Sequence, residues 1–336
     1  MGKSKWLVFI IKKTFRIESP MLSQEIAGVK FSNPIGLAAG FDYKALLPNF
    51  IPALGFGWES IGTITYFPYE GNPKPRLGRL VKSKALMVNK GFKNSGIVNI
   101  GQKLKRKRFD IPIGLSIGKT NSQKIVTQQE AIAEIIKTFK LAEKANLPVK
   151  YYELNISCPN LYQKISFYPP KNLNELLKEV SKLKIKKPVF IKMPIESSNA
   201  EVAAMLNVIV KYPITGVIFG NLQKDRKDNS FNKEELKKFK VGNFSGKPTQ
   251  KRSDELVKLA YNKFGDKLII VGCGGIFNAK DAYEKIKLGA SLVQFITGLI
   301  FEGPFLAAKI NSDLIGLLKK DGYKNISEAV GVDAKK

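Results

Sequence analysis

The sequence predicts an α/β chain folded as a (β/α)8 TIM barrel with a short N-terminal extension, on three observations. Eight short apolar segments with the make-up of buried strands recur along the chain. Helix-period segments lie between them. The residues just past the strands are almost all polar, small or glycine. A strand–helix alternation repeated eight times closes most simply into a parallel barrel, whose chemistry sits at the carboxyl ends of its strands.

The strand segments are 34–39, 58–63, 112–117, 151–155, 189–192, 216–219, 268–271 and 292–295. Each is a short apolar run bounded by turn residues, as expected of strands covered on both faces. Helical spacing is clearest over 128–145, where Ala131, Ile132, Ile135, Ile136, Phe139 and Ala142 form one apolar stripe. Further helices are predicted over 173–183, 200–210, 253–264, 279–288 and 305–318. With no Gly/Ser/Pro-rich linker to divide it, the barrel occupies 29–320, between a basic, apolar extension (1–28) and a polar C-terminal tail (321–336).

Composition removes several chemistries. The chain has no histidine and two cysteines. Imidazole bases, Ser-His triads, histidine metal sites and four-cysteine zinc sites are therefore excluded, and no metal is expected. The two thiols and the lack of a secretory signal point to a reducing cytoplasm. Net charge is +28, from 56 Lys plus Arg against 28 Asp plus Glu. Such a field attracts nucleic acid or anionic lipid. The lysines are scattered, however, as on solvated helix faces, and the one dense run is Lys103-Leu104-Lys105-Arg106-Lys107-Arg108. Nucleic acid is not the expected partner. Trp6-Leu7-Val8-Phe9-Ile10-Ile11, flanked by Lys3, Lys5, Lys12 and Lys13, is far shorter than the ~20 residues of a membrane span. Residues 1–20 either make a peripheral contact with the inner face of the cell membrane or cap the barrel bottom.

The strand ends carry the candidate chemistry. After 151–155 comes Asn155-Ile156-Ser157-Cys158-Pro159-Asn160, a thiol between two amides. Cys158 is either a proton-transfer group or a buried packing residue. Gly272-Cys273-Gly274-Gly275, with Ser245-Gly246 before it and Thr297-Gly298 after it, bares backbone for a phosphorylated cofactor. Lys192 ends a barrel strand and needs an anionic partner, either a reduced flavin ring or a carboxylate such as Glu153. Asn155, Asn160 and Asn221 offer amides to a ring bearing C=O and N–H groups, or cap their loops.

Ordered motifs from about 29 to 304 resemble those of the dihydroorotate dehydrogenase family. They are Asn33-Pro34-Ile35-Gly36-Leu37-Ala38-Ala39-Gly40-Phe41-Asp42, Ile61-Gly62-Thr63-Ile64-Thr65, Glu70-Gly71-Asn72-Pro73-Lys74-Pro75-Arg76-Leu77, the 155–160 run and Gly298-Leu299-Ile300-Phe301-Glu302-Gly303-Pro304. The resemblance implies FMN over the barrel mouth, held by Ala39, Gly40, Thr63, Ser116, Asn155, Lys192, Gly246, Gly275 and Thr297. It implies dihydroorotate, the precursor of orotate, held by Gly91, Phe92, Asn155, Asn160 and Asn221. Cys158 falls at the base position, to take the C5 proton while the C6 hydride passes to the flavin. The motif wording resembles the quinone-reducing, membrane-associated branch, whereas a cysteine base resembles the soluble branch, which leaves fumarate or another acceptor open beside a quinone. Four positions depart from the pattern: Tyr43 replaces a lysine, Val88 and Ser116 replace asparagines, and the threonine expected near Asn221 is missing. Two other readings share these residues: an FMN reductase acting on RNA, similar to tRNA-dihydrouridine synthases, and an FMN barrel without turnover.

Overall fold

The computed structural model describes residues 5–162 and 165–335; Lys3 and the rest of 1–4 lie outside the described residues. The elements run α1 (Lys5–Phe15), β1 (Gln24–Ile26), β2 (Val29–Phe31), β3 (Ile35–Leu37), β4 (Trp58–Ile64), β5 (Leu77–Leu80), β6 (Ala85–Val88), α2 (Gly96–Leu104), β7 (Ile113–Ile117), α3 (Gln128–Lys144), β8 (Tyr151–Asn155) and α4 (Pro170–Ser181). They continue with β9 (Val189–Met193), α5 (Asn199–Ile209), β10 (Gly216–Phe219), α6 (Lys233–Lys237), β11 (Asn243–Gly246), α7 (Gln250–Phe264), β12 (Ile269–Cys273), α8 (Ala279–Lys287), β13 (Leu292–Phe295), α9 (Thr297–Glu302) and α10 (Leu306–Lys320).

Eight strands close a barrel in the order β3-β4-β7-β8-β9-β10-β12-β13. Every pairing in it is parallel. These are the eight predicted segments, and a helix overlaps each predicted helical stretch. The helices start where their chemistry dictates: Thr127 and Ser198 each form a reciprocal capping box, with Glu130 and Glu201, at α3 and α5.

Alternation along the strands sorts inside from outside. Trp58, Tyr151, Phe190, Ile218, Val271 and Leu292 fill the barrel interior. Trp58 and Phe190 each meet Tyr151 edge-on, at centroid distances of 6.0 and 5.8 Å. These rings demand glycine opposite them: a Cβ on Gly36 would stand 2.2 Å from the Trp58 ring, and one on Gly114 would stand 2.1 Å from that of Tyr151. The β1–β2 hairpin lays Phe31 edge-on to Trp58 and plugs one end.

Both terminal segments pack on the barrel. In α1, Ile11 is buried, Phe15 stacks on Phe305 and Lys12 pairs with Asp110 at 2.5 Å. The opposite side of α1 leaves Trp6 73% and Phe9 55% exposed. At the other end Ile326, Ala329 and Ala334 are fully buried, and the Ile326 N–H donates to Met21 O. No helix among the described residues is long and apolar enough to cross a membrane.

One outer-wall interaction has a large predicted weight. Lys285, fully buried on α8, pairs with Asp254 on α7 at 2.5 Å and also donates to Ser253 Oγ. Removing one partner strands a buried charge, so Asp254→Ala should cost about 3–5 kcal/mol in urea unfolding.

A small antiparallel sheet, β5-β6-β11, stands over the barrel mouth. Sequence reasoning did not anticipate it. Its strands are four residues long, and β5 is Leu77-Gly78-Arg79-Leu80 with Leu77 exposed and Leu80 buried, so its sequence shows neither a strong apolar run nor a clean apolar–polar period.

Candidate active site

The barrel delivers its strand ends to one pocket, and the small sheet walls it on one side. Of the residues singled out from the sequence, Ala39, Gly40, Thr63, Gly91, Phe92, Asn155, Cys158, Asn160, Lys192, Asn221, Gly246, Gly275 and Thr297 all line this cavity. Ser116 does not. It is fully buried behind Thr63, bonding Thr63 Oγ1 at 2.9 Å and donating to Glu153 Oε1 at 3.1 Å.

The pocket floor is a buried ion pair. Lys192 Nζ stands 3.7 Å from Glu153 Oε1, and both side chains are buried. Both partners considered for Lys192 are therefore compatible: it has its carboxylate, and it still faces the pocket. Burial presses the Lys192 ammonium down, but the Glu153 carboxylate together with the Cys273 and Cys158 thiols holds it above its ordinary value. Glu153 leaves its second oxygen without a hydrogen-bond partner among the described residues.

Cys158 sits on the loop after β8, partly exposed toward the cavity. Burial pushes its thiol up to about 12, against the pull of the Asn160 N–H and of Lys119, Lys224 and Lys192. The amides around it are already engaged. Asn155 donates to Thr63 Oγ1 at 2.9 Å and accepts from Ser157. Asn221 donates to Ser157 O at 2.8 Å. Asn160 donates to Val88 O at 2.9 Å and accepts from Asn243 Nδ2 at 2.7 Å, which ties the cysteine loop to the small sheet.

Across the pocket the glycines bring backbone together. Gly246 and Gly275 have φ of +103° and +73°, values that favour glycine. A Cβ on Gly246 would lie 2.4 Å from Lys84 O, and one on Gly275 would lie 2.3 Å from Gln250 Cβ. Thr297 Oγ1 bonds Ser245 Oγ at 2.8 Å beside them.

Two departures become physical here. Tyr43 and Val88 both line the pocket, whereas Lys44 and Asn89 are not among its lining residues. Asn89 instead accepts from Asn72 at 2.9 Å. Lys90, which sequence reasoning missed, lines the pocket and holds its ammonium 4.8 Å from the Tyr43 ring centroid. No periodicity marks it, because its place depends on the unanticipated small sheet.

A sequence profile of the dihydroorotate dehydrogenase family matches residues 21–318. A dihydroorotate dehydrogenase (quinone) from Nautilia profundicola is 36% identical over 97% of this chain and 88% of its own length. One from Trichodesmium erythraeum is 34% identical over 96% of this chain and 86% of its own. The crystal structure of ligand-free DHODH from Eimeria tenella superposes with a TM-score of 0.86 at 26% identity, covering 98% of both chains. The same protein in complex with ferulenol gives 0.85 at 25% identity, covering 98% of this chain and 94% of that one. With the barrel, the strand-end pocket and these matches in agreement, this chain belongs to the dihydroorotate dehydrogenase family.

Proposed function

We propose that this chain oxidises dihydroorotate to orotate in pyrimidine biosynthesis, with FMN in the strand-end pocket and a quinone as the final electron acceptor. The observation that carries this reading is convergence. Cys158, the Lys192 ammonium and the bared backbone of Gly246 and Gly275 face one cavity in a chain of this family. These residues fit a flavin mononucleotide. The glycine loops admit a phosphate where side chains would clash, and Lys192 offers positive charge to an electron-rich ring. Bound flavin supplies the hydride acceptor for C6 of the substrate.

The protein's own groups do the rest. Cys158 takes the C5 proton, made acidic by the neighbouring ring carbonyl. Asn155 and Asn221 hold the loop that carries the thiol, through Ser157. The test is anaerobic: added dihydroorotate should bleach the visible flavin band of the purified holoenzyme, and a band that stays yellow overturns the reading.

The raised thiol gives that experiment a pH signature. A base must be ionised to act, and its ionised fraction rises about tenfold per pH unit below its pKa. Flavin reduction should therefore climb with a log-rate slope near +1 through neutral pH to well above the ordinary thiol value of about 8.5. A rate that is flat across that span, read by stopped flow, would remove Cys158 from the role.

We assign the acceptor's approach to residues 1–20. Exposed Trp6 and Phe9 on α1, with Lys12 and Lys13 beside them, suit a peripheral contact with a membrane holding quinone. Deleting these residues should impair quinone reduction and spare flavin reduction by dihydroorotate. Equal loss of both half-reactions contradicts the assignment.

A further inference from the structure

We infer that Lys90 is the residue by which this pocket selects a substrate carrying a carboxylate. The inference rests on the proposed function for the identity of the ring, and on the structure for the charge.

Among the described residues three lysines line the cavity: Lys90, Lys93 and Lys192. Lys192 has Glu153 at 3.7 Å, and Lys93 has Glu70 at 2.9 Å. Lys90 has no ion pair among the described residues, and no Asp or Glu lines the pocket. Its Nζ donates to Gly40 O at 3.2 Å and lies over the Tyr43 ring. A carbonyl and a ring face leave an ammonium short of a counter-charge. Burial and the neighbouring Lys93 both press its pKa down, which is the strain an incoming anion would relieve.

The position is also right for a substrate group. Lys90 directly precedes Gly91 and Phe92, and it follows Val88, whose carbonyl is bonded to Asn160 on the cysteine loop. Its ammonium, held at Gly40 O and the Tyr43 ring, lines the same cavity as Cys158. The ion pair at Lys192 belongs to the floor. Dihydroorotate differs from neutral dihydrouracil by its ring carboxylate. Ring amides alone cannot tell the two apart strongly, whereas an ammonium aimed at the carboxylate can. The competing account makes Lys90 a clasp on Gly40 O that serves the loop and no ligand.

Binding to the oxidised holoenzyme separates the accounts without turnover. Orotate and uracil, a charged and a neutral planar ring, are titrated separately against the flavin spectrum. Wild type should prefer orotate by about 10- to 100-fold. In Lys90→Met that preference should collapse through loss of orotate affinity alone, with uracil and FMN binding unchanged. Lys90→Arg should restore most of the preference. Unchanged orotate affinity in Lys90→Met, equal weakening of both rings, or no preference in wild type would each overturn the assignment. Failure of dihydroorotate to bleach the wild-type flavin would instead strike the proposed reaction, and the orotate–uracil comparison would still judge Lys90.

Discussion

Cys158→Ala should retain FMN and slow flavin bleaching by dihydroorotate by about 10²- to 10⁴-fold, the usual worth of a positioned general base. The expectation rests on elimination as well as placement. The chain has no histidine, and no Asp or Glu lines the pocket. The other cysteine, Cys273, also lines the cavity, but it ends β12 against the apolar barrel interior, and burial raises its thiol too. Among the described residues only Cys158 offers a thiol on the Asn155–Asn160 loop, and the lysines of the cavity are held at Gly40 O, Glu70 and Glu153, so removal should not be covered by a neighbour. Cys158→Ser should keep part of the rate and move the rising limb to higher pH, since a hydroxyl ionises less readily than a thiol. A wild-type rate in Cys158→Ala, measured by anaerobic stopped flow, would end the assignment.

Gly220→Ala should be the most damaging single methyl group at the mouth, at about 2–6 kcal/mol. Gly220 directly follows β10 with φ +136°, where any side chain is strained. Its new Cβ would stand 1.7 Å from Cys273 O and 2.4 Å from Cys273 C, both backbone atoms. They cannot withdraw without breaking the β10–β12 pairing that holds Phe219 opposite Gly272. Strain and overpacking of roughly 1–3 kcal/mol each therefore add. Gly316→Ala is the matched control. It lies within α10 with nothing near its Cβ direction, and should gain up to about 1 kcal/mol. Urea midpoints of the two variants should move in opposite directions; a Gly220→Ala midpoint equal to wild type would refute the packing argument.

Burial explains what could be read from the sequence. Every barrel strand except a rim position or two is covered on both faces, so it writes a continuous apolar run between turn residues. The site glycines, Lys192 and the thiol were visible because each breaks such a run at its end. Contacts between loops left no such mark. Asn160 reads as a ligand-facing amide or a loop cap, and it lines the cavity while bonding Val88 O and Asn243 across to the small sheet. Ser116 reads as a cofactor contact, yet it lies one side chain behind Thr63. Lys90 could not be told from the other scattered lysines, since what distinguishes it is a missing carboxylate in space. The tail, polar by composition, still buries Ile326, Ala329 and Ala334 and is tied down by Tyr261, Asn262 and Lys287.

The pairing of β11 with β6 has a thermodynamic consequence. At one end it sets Gly246 opposite Ala85, and at the other Asn243 opposite Val88, two residues before Lys90. A ligand that steadies either end steadies a ladder shared with the other, so under the proposed function cofactor and substrate occupy corners of a single linkage cycle. Whatever factor FMN adds to the affinity for orotate, orotate must return to FMN. Orotate in the medium should then slow the escape of FMN during dialysis, and protein stripped of its flavin should hold orotate poorly with every polar group of the substrate wall intact.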